Sequence, residues 1–222
     1  NDIPGPTASV SNHTDVLCFG QATGSATVQT FGGTPPFSYT WSTVPAQTSA
    51  TAVNLPAGTY FVTVYDFNSC SATANITINQ PLQELSASAT PTSSTCGYSN
   101  GSVDLTVTGG TFPYTYLWSN GAISQNLAHI LAGTYSVTVR DDNGCTTTTT
   151  ATVNNTDGPT ASISFFTNVL CFGNATGSAI VQPNGGTPPY TYLWSTVPAQ
   201  SSATAINLAA GTYYVTVYDF NS

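Results

Sequence analysis

The chain has 222 residues, a formal charge of -8 and only 5% charged side chains, with no lysine and Arg140 as its one arginine, against about 25% charged residues in ordinary globular proteins. A single cation cannot neutralise a phosphate backbone, which makes nucleic acid and anionic membrane surfaces poor partners, and no nucleic-acid partner is expected. Hydrophobic residues make up 40% and aromatics 11% in alternating runs, which argues for buried cores rather than disorder, and no apolar run approaches the roughly 18 residues of a membrane span, so no direct membrane insertion is expected.

Read in chain order, the first strands fall at about Thr7 to Ser11, Ser25 to Thr30, Phe37 to Ser42, Thr51 to Leu55, Thr59 to Asp66 and Ala72 to Asn79, rich in Val, Thr, Ile and aromatics. No segment has helical period. "FGGTPP" (Phe31 to Pro36) supplies flexible glycines and then prolines that fix entry into the next strand. A break at "NQPLQ" (Asn79 to Gln83) leads into a second, more distant copy of the same order, with "TGGTFP", "ILAGTYSVTVRDDNGC" and a closing "TTTTATVNN". A second break at "NNTDGPT" (Asn154 to Thr160) opens a third copy. Gly158 to Ser222 matches Gly5 to Ser69 without a gap at about 50 of 65 positions. The unit is therefore about 75 residues, with repeats at 1–80, 81–156 and 157–222. The third copy stops at Ser222, one residue before the position of Cys70 in the first. It is expected to be a truncated repeat lacking its final strand and second cysteine, cut from a longer protein whose next residue is cysteine. With neither a secretion signal nor an initiator methionine, the chain reads as a mature interior piece.

Strand parity separates inside from outside. Phe37, Tyr39 and Trp41 share one face, as do Tyr114, Tyr116 and Trp118, and Tyr190, Tyr192 and Trp194, with mostly Ser or Thr between them. These faces are the predicted cores, joined by Tyr60, Val62 and Val64 from the later strand. The lead-in "LPAGTY" resembles the tyrosine corner of immunoglobulin-like sandwiches, in which the hydroxyl ties a turn to the backbone. The expected fold is all-β: tandem immunoglobulin-like β-sandwich repeats of six or seven strands. On the opposite face the first and third repeats place Phe61, Tyr65, Phe67 and Tyr214, Tyr218, Phe220, where the middle repeat has Ser136, Arg140 and Asp142. Such a row can stack on sugar rings or bury a protein neighbour, unless an adjoining strand or repeat covers it.

"CFGQATGSATVQTFGGTPPFSYTWS" followed by "LPAGTYFVTVYDFNSC" resembles the SprB-type repeat of very large surface adhesins from gliding bacteria. The order Cys, GGT-x-P, aromatic-x-Trp, AGTY-x-VTV-x-D, Cys recurs across nearly the whole chain; the middle repeat departs with Phe112 in place of the first proline and "CGYSNGS" in place of "CFGQATGS". The resemblance implies export to a bacterial cell surface.

Cys18 with Cys70 and Cys96 with Cys145 frame the first two repeats, and Cys171 lacks a partner. Pairing within a repeat is the first expectation, since closing a loop of about 50 residues could add on the order of 4 kcal/mol to a small sandwich. The two cysteines of one repeat would nevertheless fall at opposite ends of an immunoglobulin-like sandwich, so a bond between neighbours, Cys18 with Cys145, stays open, as do free thiols. Singly spaced cysteines argue against zinc. Asp66, Asp141, Asp142 and Asp219 border the turn before the second cysteine. Calcium is the one ion they suggest, turn formation explains them equally, and no cofactor is expected. His13 and His129 align with Phe166 and with Asn54 and Asn207, and no nucleophile elbow, P-loop or glutamate pair occurs, so no enzyme is expected.

The sequence thus reads as a non-enzymatic repeat segment of a long extracellular adhesin or surface filament. Its expected partners are neighbouring repeats or fibre subunits and surface polysaccharide. A carbohydrate-binding accessory region of a secreted hydrolase is the alternative. A polymer in which the third sandwich receives a foreign strand is a further one, and the middle repeat's own final strand favours truncation over it.

Overall fold

The computed structural model describes residues 4–221, so the stop at Ser222 and the cysteine expected after it lie outside the described residues. All regular structure among them is strand. They form two compact units, one taking residues up to 88 with 105–125 and 136–149, the other 89–104, 126–135 and 150 onward.

In the first repeat six strands make two facing sheets. β1 (Pro6–Thr14), β2 (Gly24–Gly32) and β4 (Thr51–Leu55) form one in the order β1-β2-β4; β3 (Ser38–Trp41), β5 (Gly58–Tyr65) and β6 (Ser71–Ile78) form the other in the order β3-β5-β6. All pairings are antiparallel, and a bulge between Val10 and Asn12 shifts the register of β1 on β2. This is the immunoglobulin arrangement of strands A-B-E against C-F-G. Alternation sends Ala26, Val28, Ala52 and Leu55 of one sheet against Trp41, Val62, Val64 and Ile78 of the other. Trp41 on β3 occupies the place of the buried tryptophan of strand C, and its indole N–H donates to Ser49 O at 2.9 Å. Val62, two residues after the corner tyrosine, fills the place where antibody domains carry a core cysteine.

The middle repeat supplies β7 (Ser86–Thr92), β8 (Ser94–Thr95), β9 (Gly101–Thr108), β10 (Thr115–Trp118), β11 (Leu127–Ile130), β12 (Gly133–Arg140) and β13 (Thr146–Val153), in sheets ordered β11-β9-β7 and β10-β12-β13. Leu85, Leu105, Trp118, Val137 and Val139 are buried in the first unit, and Val103, Leu127, Ile130, Ala151 and Val153 in the second. The short β14 (Asn155–Thr156) runs parallel to β8.

The third repeat repeats one sheet in full, β15 (Thr160–Thr167), β16 (Gly177–Asn184) and β18 (Thr204–Leu208) in the order β15-β16-β18. Its second sheet has two strands, β17 (Thr191–Trp194) and β19 (Val215–Tyr218). Trp194, Val181, Ala205 and Leu208 form its core. All three predicted tryptophans are thus at most 2% exposed, and the strand boundaries of the first repeat fall within three residues of those expected.

Candidate interaction surface

The tyrosine corner expected from "AGTY" forms in every repeat. Tyr60, Tyr135 and Tyr213 donate their hydroxyls to the carbonyls four residues back, Pro56 at 2.9 Å, Leu131 at 3.0 Å and Ala209 at 3.2 Å. This fixes the start of the strand that carries the outward aromatic row.

The other end of that strand is held by an aspartate that sequence reasoning took for a turn residue or a calcium ligand. Asp66 is 6% exposed and accepts from three backbone N–H groups: Asn68 and Cys70 on Oδ1, both at 2.9 Å, and Thr34 on Oδ2 at 3.0 Å. Asp141 takes Cys145 and Thr111, and Asp219 takes Asn221 and Thr187. Each carboxylate therefore clamps the turn before the second cysteine to the GGT loop. That loop needs glycine for two reasons. Gly33 has φ +68°, and a Cβ there would lie 3.2 Å from Asp66 Oδ2; at Gly110 and Gly186 the same distance falls to 2.8 and 2.9 Å. Asn68, Asn143 and Asn221 complete the clamp by donating to the hydroxyls of Thr34, Thr111 and Thr187. Asp142 is exposed, and it joins the clamp through its backbone, whose N–H donates to Thr111 O at 2.9 Å. No cluster of three or more potential metal-ligating side chains occurs among the described residues.

Between these two fixed ends the outward side chains stand in the open. Phe61 is 55% exposed, Tyr65 41% and Phe67 69%; Tyr214, Tyr218 and Phe220 are similarly bare. Within the sheet no large neighbour covers Phe61 or Tyr65, because their cross-strand partners are Asn75, Ser71 and Ser38. In the middle repeat Arg140 folds toward Gly144, whose Cβ would meet the guanidinium at 3.0 Å.

The cysteines correct an expectation. Cys18 bonds to Cys145, 127 residues away with Cα atoms 5.7 Å apart, and not to Cys70. Consequently Cys96 does not bond to Cys145 either; Cys70, Cys96 and Cys171 are free thiols. The physical reason is the sandwich itself. Cys18 lies on the β1–β2 connection, whereas Cys70 lies on the β5–β6 turn beside the entry to β1, where a Cβ on Gly5 would meet it at 3.3 Å. The neighbouring repeat instead brings its own turn to Cys18, and Asn143 donates to Leu17 O at 3.0 Å. The first repeat's exit is fastened at the same place: Val16 N–H donates to Asn79 O, Asn79 N–H to Asp15 Oδ1 and Gly20 N–H to Gln80 Oε1. The Asn79 N–H holds the Asp15 carboxyl below its ordinary value.

Both histidines are exposed. His13 lies 3.8 Å from Asp15 on the surface, an exposed pair of little energetic weight. His129 has φ 55°, as Asn54 and Asn207 have 55° and 54°, so the position asks for a left-handed backbone in every repeat.

A fold of antiparallel sandwiches with a strand-C tryptophan and tyrosine corners defines a tandem array of immunoglobulin-like modules. The SprB repeat model matches residues 10–46, 88–123 and 163–199, one segment in each of the three repeats. No curated protein matches it in sequence. Among solved structures, the three N-terminal domains of the highly immunogenic outer capsid protein of bacteriophage RB49 are 15% identical, over 96% of this chain and 87% of that one, with a TM-score of 0.43. The eight N-terminal Ig domains of Down syndrome cell adhesion molecule are 13% identical over 87% of this chain and 29% of that one, TM-score 0.38. A tetra-tandem repeat from the extending region of a large adhesion protein is 15% identical over 97% and 66%, TM-score 0.26.

Proposed function

We propose that the chain is a non-enzymatic segment of a long extracellular adhesin or surface filament, with repeats at 1–80, 81–156 and 157–222 acting as its modules. The observation that carries this reading is the Cys18–Cys145 bond, which ties one SprB repeat covalently to the next. A disulfide of this kind needs an oxidising compartment, which fits a location outside the cell. It also lets a pulling force pass from repeat to repeat without relying on the linker alone. By the same neighbour-to-neighbour step, Cys96 and Cys171 would bond to a following repeat and Cys70 to a preceding one. The bare aromatic rows of the first and third repeats are the contact surfaces, suited to the faces of sugar rings in surface polysaccharide or to apolar patches of a fibre neighbour. The module works without a cofactor, because the three buried aspartates are already engaged by backbone N–H groups. Antibodies raised against the chain and applied to intact producing cells test the reading. They should label the outside of the cell and block its attachment, and labelling confined to permeabilised cells would refute it.

A further inference from the structure

The first repeat carries a pocket of about 560 Å³ between its β3–β4 loop and the turn from β4 into β5, and the third carries one of about 460 Å³ in the same place. Both volumes suit a small ligand. Every residue lining the pocket of the third repeat is the counterpart of one lining that of the first, Thr196 of Thr43 and Tyr213 of Tyr60 among them. In the first repeat β6 pairs with the whole of β5, so the pocket belongs to a complete sandwich. The middle repeat has a shorter loop. The Trp118 indole N–H meets a carbonyl six residues on, at Ser124, where Trp41 and Trp194 reach eight residues on, to Ser49 and Ser202. Its Gln125 donates away to Leu105 O. The pocket therefore occurs in the two repeats that carry the outward aromatic row. Ser42 joins the two features, since it lines the pocket and its hydroxyl accepts from the N–H of Phe61 at 3.0 Å.

The wall is built and held. The Thr43 hydroxyl donates to Pro45 O and accepts from Gln47 N–H, both at 2.9 Å. The Gln47 carboxamide then bonds twice to Val53, accepting from its N–H at 2.9 Å and donating to its carbonyl at 2.8 Å. Gln200 makes the same pair of bonds to Ile206, both at 2.9 Å, and its N–H donates to Thr196 Oγ1 at 3.0 Å. A carboxamide has two donors and two acceptor sites, so each glutamine keeps one of each. Asn54 and Asn207 stand beside them at φ 55° and 54°, exposed, with carboxamides that bond to none of the described residues. Apolar surface completes the lining. Val44 is 99% exposed and Val197 101%, while the Tyr60 ring is fixed by its hydroxyl on Pro56 O. No lining residue of either pocket is charged.

We propose that these two pockets are binding sites for an uncharged pyranose unit of a polysaccharide. A pyranose offers hydroxyls that both donate and accept, as the free halves of Gln47 and Asn54 do, and C–H surface that packs on Val44 and on the ring of Tyr60. Without a charged side chain in the lining, a carboxylate or phosphate on the sugar would be desolvated with nothing to pair it, so the neutral sugar is favoured. The site rests on the adhesive reading above and deepens it: the aromatic row gives contact area, and the pocket beside Phe61 gives selection among sugars.

The methyl glycosides of glucose, galactose and mannose, with methyl glucuronide as the charged comparison, are titrated into the intact 222-residue chain and followed by amide NMR. At least one neutral glycoside should shift the amides of Gln47, Val53 and Asn54 and of Gln200, Ile206 and Asn207 saturably, leave Ala128 and His129 of the middle repeat unmoved, and bind more tightly than the glucuronide. Asn54→Gly with Asn207→Gly removes both free carboxamides at a φ that glycine adopts readily, and should weaken binding about threefold to tenfold. Val44→Ser with Val197→Ser changes only bare side chains and should weaken it as well, with unfolding of both variants as cooperative as wild type. No saturable shift with any neutral glycoside, equal binding of the glucuronide, or full binding by both variants would overturn the site. Shifts confined to Phe61, Tyr65, Tyr214 and Tyr218 would also overturn it while leaving the adhesive reading in place, whereas failure of the chain to label the outside of producing cells would strike that reading and not the pocket.

Discussion

Replacing Asp66 with alanine removes one acceptor from three backbone N–H groups at once, those of Thr34, Asn68 and Cys70. The site is 6% exposed, so the stranded donors have little water to turn to, and each costs about 1–3 kcal/mol. The variant recovers part of this because a buried carboxylate no longer has to be desolvated, and the three bonds belong to one clamp and do not add. A loss of about 3–5 kcal/mol follows for the first repeat, a large share of the roughly 5–15 kcal/mol that holds a domain together. Urea unfolding monitored by the buried Trp41 measures it. Gly33→Ala attacks the same clamp from the other side, placing a Cβ 3.2 Å from Asp66 Oδ2 at φ +68°, and should cost at least about 1 kcal/mol. If Asp66→Ala cost less than about 1 kcal/mol, the carboxylate would be an ordinary turn residue and the clamp argument would be wrong.

Trp41→Ala should cost about 3–5 kcal/mol in the same assay, through the cavity it leaves and the lost bond to Ser49; wild-type stability would remove Trp41 from the core. Peptide mapping without reductant should recover Cys18 joined to Cys145, and replacing both by serine should lower stability by about 5 kcal/mol on the chain-entropy view of a 127-residue separation. A recovered Cys18–Cys70 peptide would reverse the assignment. The Asn79 N–H depresses the Asp15 carboxyl from 3.8, so protonation favours the unfolded chain. The small stability this gives is complete above pH 3.8 and is lost as pH falls through the lower folded value. Acid unfolding of Asp15→Asn should therefore differ from wild type at neutral pH and converge with it well below that point.

Much of the fold is legible because each repeat states it locally. Period-two alternation around Trp41 and Val62 marks the faces, and "AGTY" marks the corner, so both can be read from short stretches. The clamp is harder to see, since Asp66 and Thr34 are 32 residues apart and Asp141 and Thr111 are 30. Their one signal is that GGT and the aspartate recur together in every repeat. The cysteine pairing depends on which ends of two sandwiches come together, and no property of Cys18 or Cys70 encodes that. Gly24 and Gly101 look like loop glycines beside Ser, and only the packing of Ile78 and Val153 shows why no side chain fits there. The exposure of the aromatic row follows from parity, but that its partners are as small as Ser71 and Asn75 follows from register.

Attachment of beads coated with the chain tests the adhesive reading most directly. Wild type is compared, on glass and on polysaccharide gel under flow, with a variant carrying serine at Phe61, Tyr65, Phe67, Tyr214, Tyr218 and Phe220. Each aromatic contact adds only about 0.5–1.5 kcal/mol beyond its buried area, but many copies on one bead multiply the loss through avidity. The variant should unfold as cooperatively as wild type and detach at a much lower shear. Equal attachment by a well-folded variant would contradict the account and leave the aromatic rows without a part in adhesion.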